Sequence, residues 1–208
     1  MRISREGAAA HTANGLATGD GQGGGGARAE RGPTDWRPYA VSATAVAAAA
    51  VVGSLAVKPD TAWYRSLRKP AWQPPSWAFA AVWTPLYGAI AWAGGHALQR
   101  ADDHERRPLA LGLGLNLTLN AAWNWLFFAR RSPAAGLAGT LLLDASNLHL
   151  LRRVHRSDPA AALALVPYAA WCAFATALNA DIARRNAVRR NAARRDMGWR
   201  GIARRLTG

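Results

Sequence analysis

The side chains in this sequence best suited to binding chemistry are tryptophans and asparagines, and they form two separate patterns. The first lies between residues 63 and 87, where indole rings are interspersed with prolines: Trp63, Trp72, Trp77 and Trp83 with Pro70, Pro74, Pro75 and Pro85. Indole rings collect where water meets hydrocarbon, because each combines a flat apolar surface with one polar hydrogen. The stretch therefore predicts a structured aromatic loop at a membrane boundary.

The second pattern is a row of amides. Gly112, Asn116, Asn120 and Asn124 are spaced four residues apart and so lie close to one face of a helix. Because amides that face lipid are costly, the row should point into a helix bundle. Hydrogen bonding between helices is the favoured interpretation for Asn116 and Asn124. For Asn120, such bonding and contact with a ligand cavity are equally open.

Other chemistry has little support in the sequence. Asp144 is an ionisable residue in an apolar segment and hence a functional candidate, but it could equally be neutral, or bonded to Asn147, with a structural role only. Asp144 and His149 do not share a helix face, so a metal or proton-relay pair is not expected. The single cysteine, Cys172, excludes an internal disulfide and a cysteine metal cluster. We find no hydrolytic triad, phosphate loop or metal motif, and we expect no cofactor.

Composition indicates what holds these side chains. The chain has 208 residues, 50% of them hydrophobic, yet its mean hydropathy is only -0.09 because arginine-rich ends dilute a very apolar middle. The formal net charge of +14 could suggest nucleic acid. Most basic residues, however, flank apolar segments, where they would meet anionic lipid headgroups or set topology. We therefore expect a lipid bilayer as partner and no nucleic acid.

The apolar segments predict an all-α, integral membrane bundle of five transmembrane helices with a structured Trp/Pro-rich first loop. The predicted spans are Tyr39–Val57, Trp77–Leu98, Leu109–Phe128, Ala135–Leu151 and Ala160–Ala183, with a charged loop over Gln99–Pro108. In the first span, Ala43, Ala47 and Ala50 would let another helix approach closely.

The remaining segments are predicted as tails. Residues 1–36 are rich in glycine and arginine and should be disordered, residues 37–186 form the membrane domain, and residues 187–208 form a basic C-terminal tail. Lysine and arginine are slightly more frequent beside the first loop, the third loop and the C-terminal tail, which favours an N-out, C-in orientation. In a prokaryote the location would be the cell (inner) membrane.

Three segments carry a resemblance to a known family. WQPPSWAFAAVWTPLY at residues 72–87 resembles the W-x-P-P-x-W-x-F-x-P-V-W-x-x-L-Y signature of the TspO/MBR family of tryptophan-rich sensory and translocator proteins, with alanine at position 81 in place of one proline. LNAAW at residues 119–123, followed by Phe127 and Phe128, is similar to the family's third helix. PYAAWCAFATALN at residues 167–179 is similar to its fifth.

The resemblance implies a bundle of five helices, commonly homodimeric, whose cavity opens toward the first loop and binds tetrapyrroles such as protoporphyrin IX or haem-related porphyrins. By position it implies eight ligand-binding residues: Trp72, Trp77, Trp83, Tyr87, Asn120, Trp171, Phe174 and Ala175. The implied function is a receptor or carrier with a sensory or regulatory role. The alternative is light- and oxygen-dependent porphyrin degradation, for which Trp77 and Trp171 are the candidate catalytic residues.

Overall fold

The computed structural model describes residues 35–206, with side chains up to residue 189 and that of Asn191. These residues form helices joined by short connections, and they contain no strand, so the all-α prediction is confirmed for them. The elements are α1 Arg37–Ser54, α2 Ala62–Ser66, α3 Ser76–Arg100, α4 Asp103–Asn124, a π-helical turn Trp125–Ala129, α5 Pro133–Ser157 and α6 Pro159–Leu206. The disorder predicted for residues 1–36 concerns residues that, apart from Asp35 and Trp36, lie outside the described part.

The helices extend beyond the apolar segments that predicted them. The charged loop predicted over Gln99–Pro108 is wrong, because α3 continues to Arg100 and only Ala101 and Asp102 separate it from α4. The Asp102 carboxylate caps α4 by accepting a hydrogen bond from the Glu105 amide at 2.8 Å. The basic segment after residue 186 likewise continues α6 as far as Leu206. Hydrophobicity predicts where a helix is apolar, whereas caps and charge decide where it begins and ends.

The long helices close into a ring. α1 packs against α3 and α4, α6 packs against α3 and α5, and α4 packs against α5, which gives the circular order α1, α3, α6, α5, α4. The buried core runs through this ring and includes Ile90, Ala93, Leu113, Leu150 and Tyr168. Because every long helix has two neighbours, each contributes one face to a shared interior.

Glycine makes the contact between α1 and α3 possible. A Cβ atom at Gly95 would lie 2.6 Å from the Tyr39 Cα atom, which no ordinary contact allows. The predicted packing stripe on α1 is wrong in part: Ala43 and Ala47 are exposed, and Ser42 and Val46 are buried instead. Small residues occur on nearly all sides of α1, so their spacing could not identify the packed face. The glycines of α3 determine which face of α1 is packed.

A polar cluster joins α1, α3 and α6 at one end of the ring, which we call the polar end. The Asp158 carboxylate is 1% exposed and accepts hydrogen bonds from the Ala160 and Ala161 amides at 3.0 and 3.1 Å, which caps α6. Its other oxygen lies 3.2 Å from Arg100 Nη1 and 3.4 Å from His96 Nε2. The Tyr39 hydroxyl lies 2.6 Å from His96 Nδ1. This cluster ties the start of α1 and the end of α3 to the start of α6.

Within the described residues, one segment is long and apolar enough to cross a membrane on length and composition alone, Pro159–Arg189, whose most apolar 18-residue stretch has a mean hydropathy of 1.7. This segment contains the last predicted span, Ala160–Ala183. Crossing by the other long helices stays a prediction.

Replacing Asp158 with alanine should lower the free energy of unfolding by about 1–2 kcal/mol, because two amides at the start of α6 lose their acceptor. Asp158→Asn keeps an acceptor oxygen and should lose less. Denaturation of both variants in mild detergent, followed by circular dichroism, measures the difference. Equal losses would show that the charge, and not the cap, stabilises this end.

Candidate functional site: an amide network beside an aromatic cavity

A hydrogen-bonded network occupies the middle of the ring. The Asn120 Nδ2 group donates to the Tyr168 hydroxyl at 3.2 Å, and that hydroxyl donates to Asn116 Oδ1 at 2.9 Å. Asn116 Nδ2 then donates to Asn147 Oδ1 at 2.7 Å. Asn116 and Asn120 are 0% and 3% exposed, so the prediction that this row points into the bundle is confirmed for both. The network joins α4, α5 and α6 through buried side chains, for which the loss of a hydrogen-bond partner is costly.

Asn124 lies at the edge of this row. It is only half-buried, and its Nδ2 group donates to the Asn120 carbonyl oxygen at 3.5 Å, one turn earlier in the same helix. A Cβ atom at Gly53 of α1 would lie 2.9 Å from that nitrogen. Asn124 therefore packs against α1, and it makes no side-chain hydrogen bond to another helix among the described residues.

A small cavity of about 30 Å³ adjoins Asn120. Four helices line it: α3, α4, α5 and α6 contribute Phe79, Trp83, Asn120, Trp123, Thr140, Leu143, Trp171, Cys172 and Ala175. The lining is mainly aromatic and apolar, and its polar side-chain groups are one amide, one hydroxyl, one thiol and the indole N–H groups. Aromatic faces and a few fixed polar atoms are typical of a site for a flat organic ligand.

Of the eight residues predicted for ligand binding, four line this cavity: Trp83, Asn120, Trp171 and Ala175. Tyr87 stands behind them, with its ring stacked on Trp83 at 5.0 Å between centroids and its hydroxyl donating to Asn120 Oδ1 at 3.4 Å. The structure thus brings five of the predicted residues to one place. Their role in binding stays a prediction.

Two more of the predicted residues, Phe174 of α6 and Trp72 of the first loop, form a wall on the side of the cavity that faces the loop. The Phe174 ring stacks on Trp171 with centroids 5.1 Å apart. Trp72 of the loop meets Phe174 edge-on at 5.7 Å. Trp77 is separate from both, because it is 73% exposed at the start of α3 and does not line the cavity. Phe79, two residues later, lies edge-on to Trp171 at 5.9 Å.

Several lining residues were not predicted from the sequence. Trp123 lies three residues after Asn120 on α4, and this helical spacing was a usable signal. Cys172 lies beside Trp171, but its small apolar side chain gave no reason to select it. Thr140 and Leu143 come from α5, whose sequence has no aromatic pattern, and only the packing of α5 against α4 and α6 brings them to the cavity.

Side chains of α6 hold the first loop, which connects α1 to α3, over the end of the ring opposite the polar end. We call this end the loop end. The Asn186 side chain is 7% exposed and pairs with the Arg68 backbone: the Arg68 amide donates to Asn186 Oδ1 at 3.1 Å, and Asn186 Nδ2 donates to the Arg68 carbonyl at 3.0 Å. Arg189 Nη1 donates to the Ser66 carbonyl at 3.1 Å. The loop backbone is therefore attached to the last helix by hydrogen bonds from two side chains.

Aromatic packing completes the closure at the loop end. Tyr64 lies 5.4 Å from the Phe128 ring, centroid to centroid, and Lys69 Nζ lies 3.6 Å from the centre of the Tyr64 ring. Burial raises the pKa of the Tyr64 phenol, which the hydrogen bond from Gln73 partly offsets. Burial also lowers the pKa of the Lys69 ammonium. Both shifts have the same physical cause, the partial burial of these two side chains in the loop packing.

The remaining polar candidates lie apart from the cavity. Asp144 Oδ2 accepts a hydrogen bond from the Thr176 hydroxyl at 2.6 Å. The alternative partner, Asn147, makes no hydrogen bond to Asp144; its oxygen accepts from Asn116. His149 is exposed and lies near Arg153. Among the described residues, no group of three His, Cys, Asp or Glu side chains could hold a metal ion.

The chain is similar in sequence to known proteins over most of its described residues. Residues 40–185, more than half of the chain, match the TspO/MBR family. The human translocator protein is 35% identical over 147 residues, covering 69% of this chain and 80% of that protein. The bovine translocator protein is 37% identical over 129 residues, 61% of this chain and 76% of that protein. The tryptophan-rich sensory protein of Cereibacter sphaeroides is 32% identical over 153 residues, 73% and 93% respectively. The resemblance found in the three sequence segments is confirmed.

Tyr168→Phe should lower the free energy of unfolding by about 1–2 kcal/mol, because it leaves a buried amide oxygen and a buried amide N–H without their partner. Tyr87→Phe removes the same atom from a half-buried ring whose hydrogen bond is long, and it should cost less than half as much. Unfolding of the purified protein in mixed micelles, followed by circular dichroism, compares the two. Equal losses would contradict a special role for the Tyr168 hydroxyl.

Proposed function

Because the chain belongs to the TspO/MBR family, whose members are membrane helical bundles, we propose that it is an integral membrane receptor or carrier that binds a tetrapyrrole inside its ring of helices. Its role would be sensory or regulatory, in keeping with the names of its relatives. Protoporphyrin IX and haem-related porphyrins are the ligand class.

The exposed surface supports a bilayer as the surrounding medium. Large apolar side chains point outward from most of the ring; they include Val41 64%, Leu111 65%, Leu115 57%, Leu142 59% and Leu163 71% exposed. Such a surface is unfavourable in water and favourable in lipid. We propose that all five long helices cross the membrane, N-out and C-in, and that two copies form a homodimer as is common in the family.

The observation that carries the ligand proposal is the position of Asn120. Its amide borders the same cavity as the indole rings of Trp83 and Trp171 and the small side chain of Ala175. A planar macrocycle would stack on the indoles, its polar edge would hydrogen-bond the amide, and Ala175 would leave room for the ring.

The cavity must open for this to happen. Its volume of about 30 Å³ holds roughly one water molecule, whereas sites for organic ligands usually have about 300–1,000 Å³. The part most able to move is the loop-end wall, where Trp72 meets Phe174 by ring contact alone. Displacing the loop would separate these rings and bring the exposed Trp77 within reach of a ligand. We therefore propose that Trp72, Trp77 and Phe174 contact the tetrapyrrole only in an open state.

Titration with protoporphyrin IX in the dark, followed by quenching of tryptophan fluorescence, tests the site. Trp171→Phe should weaken binding roughly fivefold, because a stacking surface is reduced. Ala175→Leu should abolish it by filling the cavity. The matched controls, Trp92→Phe at the polar end and Ala173→Leu on the exposed face of α6, should bind like the wild type. Saturable binding that neither cavity variant changes would place the ligand elsewhere.

Asn186→Ala should speed association with protoporphyrin IX several-fold, because the first loop loses two of its hydrogen bonds to α6. Stopped-flow fluorescence measures the rate constants. Asn191→Ala, an exposed asparagine farther along the same helix, is the control. An unchanged association rate would mean that the ligand enters by a route that does not involve the loop.

A second candidate function is light- and oxygen-dependent porphyrin degradation. The observation that favours it is the presence of three indoles, Trp83, Trp123 and Trp171, around one cavity. The photoexcited porphyrin would take one electron from an indole and pass it to dioxygen, which becomes superoxide. The indole radical would then regain an electron from the porphyrin, so that the porphyrin is oxidised overall and dioxygen is the oxidant consumed. Illumination of the complex in air should then bleach the Soret band, and argon or Trp171→Phe should slow the bleaching. Trp77→Phe tests the other candidate. Binding without bleaching would contradict the degradation function, and only the receptor function would remain.

A further inference from the structure

A second and larger cavity lies at the loop end, outside the ring. It has a volume of about 280 Å³ and lies between the end of α1 and the π-helical turn. Its lining includes Leu55, Lys58, Thr61, Trp125, Phe128 and Arg131. None of its lining residues also lines the small cavity beside Asn120. We call it the outer groove, and it has no part in the tetrapyrrole proposal.

The charge of the outer groove is positive. Lys58 and Arg131 both line it, and no carboxylate does so among the described residues. The ion pairs found in the described part of the chain involve other cations, such as Arg100 with Asp158 and Arg153 with Glu105. Two cations that face one groove without a protein anion favour an anionic ligand.

The usual structural explanation for such cations does not apply to Lys58. Basic side chains often follow a helix to satisfy its last carbonyl groups. Here the carbonyls of Val51, Gly53 and Ser54 already accept hydrogen bonds from the amides of residues 55–57. The Val52 carbonyl accepts from Trp125 Nε1 at 3.1 Å. The end of α1 therefore does not need the lysine.

The apolar surface continues from the groove along α1. Val51, Val52 and Leu55 are 61%, 48% and 63% exposed, and Trp125 is 43% exposed beside them. These residues precede Lys58 by about one to two turns, so they lie deeper in the membrane than the lysine does. The hydrogen bond from Trp125 to Val52 holds the indole against this surface. Cations at the mouth and apolar side chains below match the layout of a phospholipid.

We propose that the outer groove is a binding site for one phospholipid with an anionic headgroup. The phosphate lies between Lys58 and Arg131, and the upper part of the acyl chains lies against Leu55 and Trp125. The site shares no lining residue with the tetrapyrrole cavity, and it requires only that the loop end meets the membrane surface.

Native mass spectrometry of the full chain in a neutral detergent tests the proposal, with dioctanoyl phosphatidylglycerol and dioctanoyl phosphatidylcholine as probes. The wild type should retain one phosphatidylglycerol in preference to phosphatidylcholine. The double variant Lys58→Gln/Arg131→Gln should bind phosphatidylglycerol about thirtyfold more weakly, the effect of two basic groups at a membrane surface. Arg131 has a positive φ of 50°. Glutamine, like arginine, is unbranched at Cβ, so this substitution adds no new strain to that backbone conformation.

The matched control is Arg65→Gln/Arg130→Gln, which removes two exposed cations from the same end without touching the groove. It should retain wild-type affinity within about twofold, since exposed charges act weakly at a distance. Equal weakening in both double variants, or equal affinity for the two lipids, would overturn the proposal, because only general surface charge would then be at work.

Two further outcomes would also overturn it. Competition by inorganic phosphate at the affinity of the lipid would show a simple anion site, and a change of the groove variant from dimer to monomer would show that a second copy of the chain covers the groove. If the groove variant does not fold, brominated phosphatidylglycerol replaces it as the test. That lipid should quench wild-type fluorescence in a saturable step that is absent from Trp125→Phe, and an unchanged step would contradict the site.

Discussion

The structure depends on one hydroxyl group, that of Tyr168, which bonds to two asparagines of the same helix. It accepts from Asn120 and donates to Asn116, and Asn116 continues the chain of bonds to Asn147. These side chains belong to α4, α5 and α6, and Tyr87 adds α3 through its long bond to Asn120. In a bundle whose outer surface is apolar, hydrophobic burial alone does not select one arrangement of helices. Directional bonds between buried polar groups can, since each mismatch leaves a group unsatisfied.

The same network explains why Asn120 could not be assigned to one role from the sequence. Structural hydrogen bonding and contact with a cavity were equally open, and the structure gives the residue both surroundings. Its amide N–H bonds to Tyr168, while the side chain also borders the cavity with Trp83 and Trp171. Asn116, one turn away, makes bonds to three neighbours and is fully enclosed. A tetrapyrrole that bonds to Asn120 would therefore act on the group that positions α4 against α6, and this gives a direct route from binding to helix packing.

The sequence predicted the features that follow from pattern and missed those that follow from packing. The three segments that resemble the family's motifs correctly indicated the family, and five of the residues implied by that resemblance meet at one place. The apolar segments correctly indicated the all-α class. Helix limits were less accurate, because Asp102 and Asp158 act as caps within charged segments that resemble loops. Thr140 and Leu143 could not be selected, since α5 reaches the cavity only through its contacts with α4 and α6. The exposed position of Trp77 is also a tertiary property, which a motif does not encode.

The two ends of the ring are closed by different kinds of contact, and the proposed opening of the cavity is assigned to the end with the weaker closure. At the polar end, charged and hydrogen-bonded side chains hold α1, α3 and α6, and the close approach of Gly95 to Tyr39 leaves no space between α1 and α3. At the loop end, the closure consists of ring contacts and of hydrogen bonds from Asn186 and Arg189 to one stretch of loop backbone. Separating two rings or exchanging these hydrogen bonds for water costs less than exposing a buried, paired carboxylate. Since Phe174 and Trp171 also lie between the loop and Asn120, the weaker end is the one that leads to the amide, and opening there would leave the polar end intact.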